Sequence, residues 1–109
     1  MASNYREDIK TTLDKLLLDI PGVQAGKAFG YPSYSIKGKV FAFVGGDGIA
    51  IKLPAARVQA IIAAHDDASP FEPAAGRVWK EWVSIDHAEA AAYMDDVALL
   101  EESVAFVGG

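Results

Sequence analysis

The chain reads as an α+β two-layer sandwich, an antiparallel sheet flanked by three helices in the order α-β-β-β-β-α-β-α. Three observations carry that reading. Residues 29–54 run as strand, turn, strand, turn, strand, with glycine turns at Lys37-Gly38 and Gly45-Gly-Asp-Gly48. Tight turns of this kind join antiparallel neighbours, because glycine takes positive φ without steric cost. Apolar residues recur at helical spacing before this stretch and again after Pro54, and sequential hairpins argue against parallel βαβ units.

In chain order, Ser3 or Asn4 is placed to cap a first helix running to about Ile20, with Glu7 and Asp8 favoured by the dipole at its start. Ile9, Leu13, Leu16, Leu17 and Ile20 form one apolar stripe, and Pro21-Gly22 stops it. Val23 to Phe29 is a first strand, after which Tyr31-Pro32 turns into the central strands. Tyr34-Ser-Ile36 and Lys39 to Val44 are rich in aromatic and β-branched residues, which suit a half-buried pleated surface. Ile49, Ile51 and Leu53 alternate with Ala50 and Lys52, the period-two pattern of a strand with one dry face. Strict alternation puts Phe41 and Phe43 on one face of the middle strand and Val40, Ala42 and Val44 on the other. Both faces are apolar there. One carries the helices, and the second is the first place to look for function.

Pro54 sits at the first position of a second helix, to Ala64, where its missing N–H costs nothing. Val58, Ile61 and Ile62 are its core residues, and His65 is a C-terminal boundary residue. Asp66 to Gly76 is expected as a loop with Phe71 as a packing anchor. Arg77 to Ile85 is the last strand, whose alternation points Trp79 and Trp82 to opposite faces. Asp86-His-Ala-Glu89 resembles a capping box. It opens a last helix from His87 to Phe106 that buries some of Ala91, Met94, Val97, Ala98, Leu99, Leu100 and Val104, and leaves His87 as a solvated end residue.

With 109 residues, 51% hydrophobic and 23% charged, the chain is expected to form one domain over residues 1–109. It has no cysteine, which removes disulfides, thiol nucleophiles and thiolate zinc sites. Its first residues are polar and no apolar run approaches the roughly 20 residues of a membrane span, so a soluble cytoplasmic protein without membrane contact is expected. The net charge is −5, yet five bases between Pro21 and Arg57 face Asp47 alone, while seven acids and no base follow from Glu81. Local cationic charge on the sheet region can serve phosphates even when the total is negative. The overall acidity counts against strong non-specific nucleic-acid binding.

No catalytic, cofactor-binding or metal residues are expected. Gly45-Gly-Asp-Gly48 lacks the Lys-Ser/Thr ending of a phosphate loop and precedes a strand. The pairs Asp66-Asp67, Asp95-Asp96 and Glu101-Glu102 lack the facing geometry that paired catalytic carboxylates need, and no serine has a base at recognisable spacing.

Phe29-Gly-Tyr31, Gly38-Lys-Val-Phe-Ala42, Gly48-Ile-Ala-Ile-Lys-Leu-Pro54 and Pro73-Ala-Ala-Gly-Arg-Val-Trp-Lys-Glu-Trp-Val83 resemble two related groups. One is the N-terminal domain of TfoX/Sxy competence regulators. The other is the YjbR/MmcQ group, which Pro21-Gly-Val23 and Trp82-Val83 also match. The similarity covers most of residues 20–106 and rests on glycines and aromatics. It implies a secretion-chaperone-like domain of the YjbR type and a bacterial role tied to transcription regulation or DNA binding.

Two functions compete on this basis. In the first, a small non-enzymatic regulatory domain meets DNA through Lys37, Lys39, Lys52 and Lys80, with Tyr34 or Trp82 stacking. In the second, the apolar second face docks a protein partner or a second copy of the chain, without nucleic acid. An enzyme with an unrecognised site is the third and least supported.

Overall fold

Ile9, Leu13 and Leu17 fall on one side of α1 (Glu7–Leu17), and all three are buried. In the computed structural model, which describes residues 4–109, α1 packs with two further helices on one face of a six-stranded sheet. The strands are β1 (Val23–Ala28), β2 (Tyr31–Ile36), β3 (Lys39–Gly45), β4 (Gly48–Lys52), β5 (Ala68–Pro70) and β6 (Trp82–Ile85). They lie in the order β1-β2-β3-β4-β6-β5, every neighbouring pair antiparallel. Helix α2 (Ala55–Ala64) follows β4. A 3₁₀ segment (Ala90–Asp96) leads into α3 (Val97–Gly108).

The expected α+β order holds, with one addition. The stretch expected as a loop contains β5, a three-residue edge strand paired to β6. Proline is tolerated at an edge, where its lack of a donor costs no ladder bond, and Pro70 ends this strand. The strand expected from Arg77 to Ile85 shrinks to Trp82–Ile85. Arg77 N–H bonds Ala74 O and Trp82 N–H bonds Trp79 O, so residues 74–81 meet part of their hydrogen-bonding demand in local turns. The first hairpin turns at Phe29-Gly30, both at positive φ, and Tyr31 and Pro32 already belong to β2.

The helix ends also differ from expectation. Ser3 lies outside the described residues. Asn4 is not a cap: its carbonyl accepts Gly46 N–H at 2.9 Å, and α1 starts after Arg6 without a side-chain cap. Neither Asp86 nor Glu89 caps the last helix, because the chain first makes the 3₁₀ segment. That tighter winding rotates the buried side, so Tyr93, Leu100 and Ser103 are buried while Ala91, Met94 and Ala98 are exposed.

The decisive irregularity lies in β3. Tyr34 stands opposite Ala42, but Ser35 stands opposite Val40. Phe41 is therefore the extra residue of a β-bulge, which reverses the parity of the strand. Phe41, Ala42 and Val44 join the helix-side core, and Phe43 belongs to a separate cluster on the other face. The expectation that Phe41 and Phe43 share a face is thus corrected. Ser103 of α3 reaches back to this spot, its hydroxyl 2.5 Å from Lys52 O and 3.2 Å from Phe41 O. Ser103→Ala would remove the one hydroxyl donor that lies within reach of both carbonyls. The expected loss is about 1–2 kcal/mol of unfolding free energy, read from urea denaturation, whereas a change within about 0.3 kcal/mol would contradict the anchoring role.

Candidate functional site

On the face away from the helices the strands carry mostly small residues. Gly45, Ala50 and Ser84 form a shallow floor of β3, β4 and β6. Aromatic rings rise around that floor. Phe43 and Trp82 are buried against it, and Tyr31, Phe71 and Trp79 are half-buried. Tyr31 stacks on Phe43 at 6.0 Å and 18°. It can do so because Gly45 has no side chain: a Cβ there would come 3.1 Å from the tyrosine ring.

Phe71 and Trp79 come from the segment between β5 and β6. Trp79 N–H donates to Phe71 O at 3.1 Å, folding that segment back over the sheet. The two indoles therefore lie 6.3 Å apart in one cluster instead of pointing to opposite faces. Phe29, Phe43, Phe71 and Trp79 close a ring of edge contacts, with neighbouring centroids 5.7, 5.4, 5.5 and 5.6 Å apart. The result is an open groove of about 460 Å³, within the range of small-molecule sites.

Phe29 is the unusual member. Its φ is +57°, a left-handed conformation that costs an ordinary residue about 1–2 kcal/mol. The residue is 64% exposed while its ring touches Phe43 and Trp79. Neither Phe29, Tyr31, Phe71 nor Trp79 was expected as a site residue. The signal in the sequence was the concentration of aromatics between positions 29 and 82, but the fold-back of residues 71–79 was needed to converge them.

The six expected site residues separate. Tyr34 is buried in the helix-side core, with its hydroxyl 2.7 Å from Asp14 Oδ1. Burial, reinforced by that carboxylate, pushes its hydroxyl pKa well up. It is a core residue and not a stacking platform. Trp82 does face the groove side, but beneath Phe71 and Phe43. Lys52 stands opposite Trp82 on that face, 4.0 Å from Glu81 Oε1. Lys39 stands opposite Ile36, on the helix side by register. Lys37 occupies the β2–β3 turn at φ +54°, and Lys80 is exposed two residues before β6. Register brings the ends of β2 and β4 and the starts of β3 and β6 together. The four lysines consequently gather at one end of the sheet, while Phe29, Tyr31 and the Gly45–Gly48 turn mark the other.

At that opposite end Asp86 lies against Gly48, which must be glycine because a Cβ would collide with Asp86 and with Ile85 O. Burial, then the nearby charge of Asp47, raises the Asp86 carboxyl above its ordinary pKa.

A second concavity surrounds His87. The expectation of a solvated end residue is corrected: Nδ1 lies 2.6 Å from Asp67 Oδ2 and Nε2 lies 2.7 Å from Asp96 Oδ2. Asp67 lies in the turn just before β5, where its carbonyl accepts Asp86 N–H, and the 3₁₀ segment supplies Asp96. Tyr93 accepts His87 N–H and donates to Ile85 O, and burial pushes its hydroxyl up to about 12. Arg6 ties α1 to His87 O and Ala88 O. Among the described residues the lining of this concavity contains no serine, threonine or lysine. Its bonds are those of a clamp.

Two outcomes are expected. Phe29→Asn suits a left-handed turn, so denaturation should show unchanged or higher stability, by up to about 1 kcal/mol. A loss of more than about 1 kcal/mol would make Phe29 a structural residue. For Asp86, a raised folded-state pKa means that ionisation opposes folding above the unfolded-state pKa. Asp86→Asn should therefore raise the thermal midpoint at neutral pH. The gain should shrink as pH falls through the ordinary carboxylate range. A gain that persists in acid would contradict this.

Comparison with curated proteins and with solved structures finds no match. The family model described as YjbR matches residues 18–105, and the chain belongs to the YjbR family.

Proposed function

We propose that this YjbR-family chain is a non-enzymatic binding domain whose working surface is the aromatic groove. The observation that carries the reading is Phe29. A large ring stands mostly in water on an unfavourable turn, yet it completes the aromatic wall. Strained, exposed aromatics are retained where their contacts are made with something other than the fold itself. The groove's size suits a small ligand or one group of a partner, and its floor of glycine, alanine and serine leaves space for the guest.

The test is a heteronuclear NMR screen with neutral aromatic, cationic and anionic fragments. Shifts should concentrate on Phe29, Tyr31, Ala50 and the Trp79 indole. Fragments that bind elsewhere, or none binding at all, would overturn the reading. Sedimentation on the same samples separates a second copy of the chain as occupant, since dimerisation would occupy the groove and make fragment binding concentration-dependent.

A role in transcription through DNA is the second reading, supported by the gathering of Lys37, Lys39, Lys52 and Lys80 at one end of the sheet. A duplex titration by fluorescence anisotropy at about 50 and 200 mM salt tests it, with a slope near −0.9 per phosphate contacted. Binding lost on Lys37→Glu and Lys39→Glu would support this reading. No binding at the lower salt would end it.

A further inference from the structure

We infer that the groove takes a small organic cation of the quaternary or methylated ammonium class. The inference rests on the groove being the binding surface proposed above and adds the chemistry of its guest.

Charge is the first observation. Among the described residues Glu72 is the only charged side chain that lines the groove, and it makes no ion pair there. Asp86 lies over Gly48 beside the floor, with Asp47 near enough to raise its pKa. The two cations of the covering segment, Arg77 and Lys80, are exposed and do not line it. Negative charges beside the groove disfavour phosphates and carboxylates and favour a cation.

The walls select among cations. Aromatic faces carry negative quadrupole potential and attract a cation within about 6 Å of the ring centroid. A primary ammonium also brings three N–H donors that need acceptors, and among the described residues the side-chain acceptors lining the groove are those of Tyr31, Ser84 and Glu72. A fully methylated ammonium has no N–H to satisfy and presents apolar methyls to the rings, so it loses less on leaving water. The volume of about 460 Å³ leaves room for a substituent beyond the head group.

Choline and its neutral carbon isostere, dimethylbutanol, make the test, titrated into the full chain with tryptophan fluorescence and NMR shifts as readouts. Choline should bind about tenfold more tightly than the isostere. Glu72→Gln should weaken choline severalfold and leave the isostere unchanged, with circular dichroism confirming the fold of this exposed-site variant. Equal affinity for the two compounds, or isostere binding that falls along with choline in Glu72→Gln, would overturn the inference. So would choline leaving the groove resonances unmoved. In that last case other fragments still binding in the groove would leave the proposed function standing, and no fragment of any charge binding there would remove both.

Discussion

The bulge at Phe41 is the constraint on which the molecule depends. Without the extra residue, Phe41 and Phe43 would project to the same side, and the helix-side core and the aromatic face would compete for both rings. With it, Phe41, Ala42 and Val44 fill the core beneath the helices while Phe43 anchors the opposite cluster. Ser103 of α3 and the Lys52 carbonyl hold the irregular spot from the helix side. The same helix that closes the core therefore fixes which ring reaches the groove.

The two faces do different work. On the helix side, burial is close to complete from Ile9 and Leu13 through Ile51 and Val83, and this is where most of the hydrophobic stabilisation resides. On the other side, a segment rather than a helix covers the strands, and it covers them only in part. Phe71 and Trp79 lean over a floor kept low by Gly45, Ala50 and Ser84. Asp47 and Asp86 lie at one end of the sheet and the four lysines at the other. The His87 clamp stands apart from this surface: it ties β5, β6 and the 3₁₀ segment together, and with Arg6 it fastens α1 to the same corner.

Much of the fold was legible because it rests on local signals. The α1 stripe, the Lys37-Gly38 and Gly45–Gly48 turns, the alternation of Ile49, Ile51 and Leu53 and the stop at Pro54 all specify elements without distant partners. What failed needed long-range information. A one-residue bulge leaves no mark in a run of apolar residues, so Phe41 was expected to share a face with Phe43, and Tyr34 is buried on the helix side. Trp79 converges with Trp82 because residues 74–81 turn locally, and His87 acquires carboxylates on both nitrogens because the turn before β5 and the 3₁₀ segment approach from either side. The second face was recognisable as apolar from its strand residues. Its actual walls came from three separate stretches, 29–31, 43 and 71–82.

The most direct measurement is a set of aromatic NOEs for Phe41 and Phe43. A bulged β3 predicts that the Phe41 ring contacts only helix-side core residues, and that the Phe43 ring contacts Phe29, Tyr31 and Trp82. Both rings showing contacts to the same face would mean an unbroken strand. The division into a helix-side core and an aromatic groove would then be wrong.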